Sequence, residues 1–147
     1  MIVVADTSAL VAAYVREATT AAVQNHLLGA EVVAVSHLAW AELQAAIARL
    51  DREARLVPGE ADRVRDRIRE DWETFLRIRV DQRLHAETAR LIRYHALRGA
   101  AAVHLAAALL IHRRLAEPQG QRARFLVADA ALGRAAADEG LDVPPLG

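Results

Sequence analysis

Ile2-Val3-Val4-Ala5-Asp6-Thr7-Ser8-Ala9-Leu10 reads as a buried strand that ends on an acid and passes straight into a helix. The same design returns late in the chain, where Phe125-Leu126-Val127-Ala128 closes on Asp129 and Ala130-Ala131-Leu132 follows. Between them strands alternate with helices, so the crossovers are long enough to bring each strand back to the same edge. The expectation is a three-layer α/β/α domain with a small, mainly parallel sheet. Ligands of such sheets gather at the carboxyl ends of the strands, where both Asp6 and Asp129 fall.

Working outward, Ala9 to Val15 continues as helix, and Thr19-Thr20 begins a second helix that Gly29 ends. Val32-Val33-Ala34-Val35 is the next strand. Ser36 caps a long helix carrying Ala39, Leu43, Ile47 and Leu50 at helical spacing to about Arg55. Pro58-Gly59 punctuates, and 60 to 72 is an amphipathic outer helix with Val64, Ile68, Trp72 and Phe75 on one face. Leu76, Ile78 and Val80 alternate with Arg77, Arg79 and Asp81 as a short strand with one wet face. A helix from about Gln82 to Leu97, a break at Gly99 and an apolar helix from Ala101 to Leu115 follow. Pro118-Gln119-Gly120-Gln121 is a surface loop, and Leu141-Asp142-Val143 is read as an edge strand after the last helix.

A chain of 147 residues is expected to form a single domain over 1–147, with a tight aliphatic core from 54% apolar residues and few aromatics. With no cysteine, disulfides, thiolate metal sites and a cysteine nucleophile are excluded, and any metal must sit on oxygen or imidazole. Formal charge is zero, so the chain is no polycation, and a nucleic acid would be held locally. All 19 basic residues are Arg, a bias that suits phosphate recognition but that codon usage explains better. No apolar run is long enough for a bilayer and no signal segment stands out, so a cytoplasmic location without a membrane is expected.

Asp6, Glu42 and Asp129 are the acids of interest. Singly, Asp6 and Asp129 read equally well as helix caps, and Glu42 as a solvated helix margin. Gathered at one sheet edge they would repel unless a cation neutralised them, and oxygen ligands select Mg²⁺ or Mn²⁺.

At these residues the chain resembles a family. Asp6-Thr7-Ser8-Ala9-Leu10, Ala41-Glu42-Leu43, Leu97-Arg98-Gly99 leading into Val103-His104-Leu105-Ala106, and Phe125-Leu126-Val127-Ala128-Asp129 are similar to the PIN-domain ribonucleases, and within them to the VapC toxins of toxin–antitoxin pairs. The resemblance spans essentially the whole chain. It implies a PIN-like domain and an endoribonuclease toxin in which four acids bind Mg²⁺ or Mn²⁺ and a water attacks the RNA phosphodiester to leave a 5′-phosphate. It also implies a homodimer and a small antitoxin protein wrapped near Val23, Leu27, Leu43, Ile47 and the 60 to 72 helix. Asp6, Glu42 and Asp129 match three of the four acids. The fourth stands two residues before Val103-His104-Leu105 in the family, where this chain has Gly99-Ala100-Ala101-Ala102. Ala101 is therefore read as replacing an aspartate, which predicts an impaired site.

Thr7, Ser8 and Arg98 are further candidates, the first two to cap or to support the site and Arg98 to steady a phosphate. His104, one helical turn past position 101, is expected to be a satisfied core histidine rather than a ligand. The arginines of the 60 to 72 helix alternate with acids and read as a salt-bridged face. An aspartyl phosphatase would need an acid two residues after Asp6, where Ser8 stands, and P-loop and phosphoacceptor chemistries would need a lysine. The remaining alternative is a non-catalytic PIN-like protein that acts by binding a partner.

Overall fold

The computed structural model describes residues 1–147. Its sheet is built from β1 (Ile2–Ala5), β2 (Val32–Ser36), β3 (Leu76–Ile78) and β4 (Arg124–Leu126), in the order β3-β2-β1-β4 with every neighbouring pair parallel. The helices are α1 (Thr7–Tyr14), α2 (Thr20–Leu28), α3 (Leu38–Arg52), α4 (Glu60–Trp72), α5 (Gln82–Tyr94), α6 (Gly99–Ile111) and α7 (Ala130–Asp138). The three-layer expectation holds, and the sheet is wholly parallel.

Every residue of β1 is buried, because a parallel sheet is covered on both faces and its central strand meets apolar groups above and below. Ile2 and Val4 pack with Ile78, Leu105 and Phe125 on the side of α5, α6 and α7. Ala5, with Val35, packs against Leu10, Leu43, Ile47 and Ile68 on the side of α1, α3 and α4. This period-2 division explains why β1 is apolar at each position. α6 is apolar nearly all round for a similar reason: it runs through the interior, burying Ala102 and Leu105 through Leu109. No single helix is long and apolar enough to cross a membrane.

Several details differ from the sequence reading: β3 ends at Ile78 rather than Val80, and β4 runs from Arg124 to Leu126 rather than on to Ala128. α3 stops at Arg52 rather than Arg55, because Ala54 takes a left-handed φ of 53° while Glu53 N–H donates to Arg49 and Arg55 N–H to Leu50. That is a helix-ending turn usually built on glycine. Ala54→Gly is accordingly expected to stabilise the fold by about 1 kcal/mol, raising the melting temperature by a few degrees. Gly99 begins α6 instead of only breaking the chain, and α5 ends at Tyr94. α6 gives way at His112–Ala116 to a wider helical turn, followed by a short 3-10 turn over Glu117–Gln119. Residues 141 to 143 form a single bridge, Asp142 to Arg124, rather than a strand.

α5 is tied to the end of α7 on the outer side by Arg90, whose guanidinium meets Glu87 at 3.0 Å and Glu139 at 2.7 Å. Arg113 adds a contact to Glu87 at 2.8 Å, and His95 meets Glu139 at 2.9 Å. Arg90 holds both carboxyls below the usual carboxylate range, with partial burial working against it. A carboxyl whose folded pKa is depressed contributes stability above its unfolded pKa and loses it as pH falls through the folded value. Urea midpoints are therefore expected to drop below about pH 4.5, and Glu139→Gln should flatten that acid limb.

Candidate active site

Asp6 leaves β1 with extended backbone and caps α1 by accepting from the Ser8 N–H at 3.1 Å. Its Oδ2 also accepts the Ser8 hydroxyl at 2.6 Å, and that same Oγ accepts the Ala128 N–H at 3.0 Å. Ser8 thus links the acid after β1 to the chain leaving β4, and the Asp6 N–H to Leu126 carbonyl bond, 2.9 Å, closes the same seam. Asp129 caps α7, with Oδ1 accepting from Leu132 N–H at 2.8 Å. Both aspartates are therefore N-caps, and both line one cleft. The cap reading and the site reading turn out to be compatible.

Glu42 reaches this cleft from the second turn of α3. Its Oε1 accepts the Thr7 hydroxyl at 2.8 Å and is hydrogen-bonded to Nε2 of His104. The imidazole bond holds Glu42 below the usual carboxylate range, partial burial opposes it, and the Thr7 bond adds to it. An ionised carboxylate only accepts, so the histidine proton lies on Nε2. His104 Nδ1 is then a buried nitrogen with no partner, and Asp6 Oδ1 lies 3.9 Å from Nε2. The expectation of a satisfied core histidine is thus corrected: His104 is 3% exposed, yet it faces the acids and is satisfied at one nitrogen only.

The cleft is open, about 920 Å³, and brings together Asp6, Thr7, Ser8, Glu42, Ala101 and Asp129. Arg98, His104, Arg49 and Arg52 border it too. Sequence reasoning passed over the last two, although their place seven and ten residues after Glu42 on one helix was a usable signal. Each acid has one oxygen committed and one without a protein partner: Asp6 Oδ1, Glu42 Oε2 and Asp129 Oδ2. That donor set is chemically suited to a hard divalent cation. No three His, Asp or Glu side chains stand close enough together to hold one ion between them, so the fit is to an ion keeping several waters, not to a shell closed by protein. Ala101, half-buried on the cleft wall, contributes no donor.

The expected partner groove needs correction. Val23, Leu43 and Ile47 are 0% exposed, spent on the domain's own core. The apolar groove that remains open runs between α2 and α4 and is lined by Tyr14, Leu27, Leu28 and Phe75, with Arg67 and Asp71 at its rim. On α4 the salt-bridged face is present, with Arg65 to Asp62 at 3.1 Å and Arg69 to Asp66 at 3.2 Å.

Residues 3–136 match the profile of the family described as PIN domain. Among solved structures, the chain is similar to FitAcB from Neisseria gonorrhoeae, at 16% identity and a TM-score of 0.65, over 99% of this chain and 98% of that one. A toxin-antitoxin complex from Klebsiella pneumoniae matches at 18% identity and 0.66, over 99% and 98%. VapBC2 from Rickettsia felis, bound to a DNA fragment from its promoter, matches at 12% and 0.65, over 98% of each chain. At such identities these likenesses establish the fold. No curated protein sequence matches the chain.

Proposed function

The chain belongs to the PIN-domain family, and from that premise we propose that it is a divalent-metal-dependent endoribonuclease of the toxin type, impaired by Ala101. The observation that carries the reading is the set of three carboxylates on one cleft, each with an oxygen left over. Asp6, Glu42 and Asp129 do not close together on one ion, so Mg²⁺ or Mn²⁺ would be held by no more than two of them directly and otherwise through its bound waters. Bound there, such an ion supplies a water activated near neutral pH and offsets charge on the oxygen leaving phosphorus. The chain's own part is orientation. Ser8 fixes Asp6 against the end of β4, and Thr7 and His104 aim Glu42.

Removing one carboxylate lowers cation affinity and leaves more of the shell to water, hence slow cleavage. Single-stranded RNA incubated with the chain and Mn²⁺ is expected to yield 5′-phosphate ends slowly, and both chelator and Asp6→Asn should abolish it. An Asp6→Asn variant that cuts as fast as its parent overturns the reading.

A small antitoxin protein is the proposed inhibitor, seated by an amphipathic helix in the groove of Tyr14, Leu27, Leu28 and Phe75. The toxin-antitoxin complex among the similar solved structures supports this, and a cytoplasmic homodimer is proposed with it on the family resemblance alone. Ala101 also favours a second reading, a PIN-like protein that binds its partner without cutting RNA. Tight antitoxin binding with no cleavage even by Ala101→Asp would select it.

A further inference from the structure

Arg49, Arg52 and Arg98 are the arginines that border the acid cleft, and although they share it with three carboxylates, none of them forms an ion pair or a side-chain hydrogen bond there. Glu42, Ala45, Ala46, Arg49 and Arg52 follow one another along the cleft side of α3. At the helical rise, Arg49 lies about 10 Å and Arg52 about 15 Å beyond Glu42 along the axis. The two alanines between acid and arginines keep that wall low. Arg98, at the start of α6, faces the cleft from the other wall with Ala96 and Leu97. Three guanidiniums thus match the three carboxylates in charge, set away from the acids instead of neutralising them.

We infer that Arg49 and Arg52 on one wall and Arg98 on the other hold the phosphates flanking the cut site of an unpaired RNA strand, and that they do so without a metal ion. This rests on the nuclease reading for the identity of the strand. A polyanion approaching three carboxylates is repelled unless cations elsewhere on its path attract it, and arginine grips phosphate oxygens two at a time. The strand is unpaired because its backbone must reach Asp6, 7% exposed on the cleft floor, between two protein walls. A stiff duplex carries its phosphates on a convex surface; a single strand bends inward. The arginines are positioning residues and take no part in bond breaking.

The test is fluorescence anisotropy with an unstructured, labelled oligoribonucleotide in EDTA over a salt series, using the folded full chain and thermal melts of each variant. Arg49→Gln/Arg52→Gln is expected to weaken binding about tenfold at low salt and to shrink the slope of log K against log salt by about 1.4, the release from two phosphates. Arg98→Gln should shrink it by about 0.7. Arg93→Gln/Arg114→Gln removes the same net charge at exposed positions outside the cleft and should leave the slope unchanged. The inference is overturned if the cleft pair behaves like the remote pair, or if duplex RNA of the same sequence binds as tightly. Because binding in chelator needs no chemistry, an inactive chain that keeps these slopes sinks the nuclease reading alone.

Discussion

Ala101→Asp is expected to raise Mn²⁺-dependent RNA cleavage by about 10- to 100-fold, with a comparable gain in ion affinity, since a misplaced or missing group around a metal costs that order of magnitude. Residue 101 lies three positions before His104 on α6, hence on the same face, and both border the cleft that holds the three acids. A fourth carboxylate there adds an oxygen where the wall now offers a methyl group. Without an ion, the added charge sits among three others and should cost stability. Mn²⁺ should restore it, so the melting temperature of Ala101→Asp becomes strongly ion-dependent while the parent's moves little. Calorimetric titration with Mn²⁺ and initial cleavage rates read the two effects separately. Equal affinity and equal rates in parent and variant would show that position 101 has no part in the site.

The second large effect is on the fold. Phe125→Ala is expected to cost about 3 to 5 kcal/mol and to lower the melting temperature by roughly 10 °C. Phe125 is 0% exposed, the largest of the fully buried side chains, on a strand paired with β1 on one side and bridged to Asp142 through its neighbour Arg124 on the other. β4 is an edge strand, but the Phe125 side chain packs into the cluster of Leu105, Leu109 and Leu132 between sheet and helices, so most of the lost volume remains as a cavity. Asp129→Asn, four residues on, should do the reverse: asparagine still caps α7, leaving stability nearly unchanged, while cleavage falls with the lost charge. A variant of Phe125 with an unaltered urea midpoint would contradict the core described above.

The layer order and two of the three acids were legible because their signals are local. β1 is apolar at every position because both its faces are covered, and the acid after it must cap the helix that follows. α4 was read to its end residues, since Val64, Ile68 and Trp72 keep one buried stripe between Gly59 and Glu73. The end of α3 was not, because alanine carries no sign that it will adopt a left-handed φ, and only the chain beyond Leu50 requires Ala54 to do so. The open groove was misjudged for a related reason. Helical spacing marks Leu43 and Ile47 as one apolar face of α3, and Val23 as an apolar position of α2, but not whether the domain or a partner covers them.

Pattern alone, then, determined a parallel α/β domain with acids delivered at strand ends, while it took the resemblance to the PIN-domain ribonucleases to mark Ala101 as the odd member of the set. Tertiary structure decided which oxygens of those acids stay free, that His104 turns its proton to Glu42, and that Arg49 and Arg52 share the acids' cleft. Periodicity acts over a few residues, within one helix or strand. Thr7 to Glu42, Glu42 to His104 and Ser8 to Ala128 join positions 35, 62 and 120 residues apart, and only closing the sheet between β1 and its two neighbours brings them within hydrogen-bonding reach.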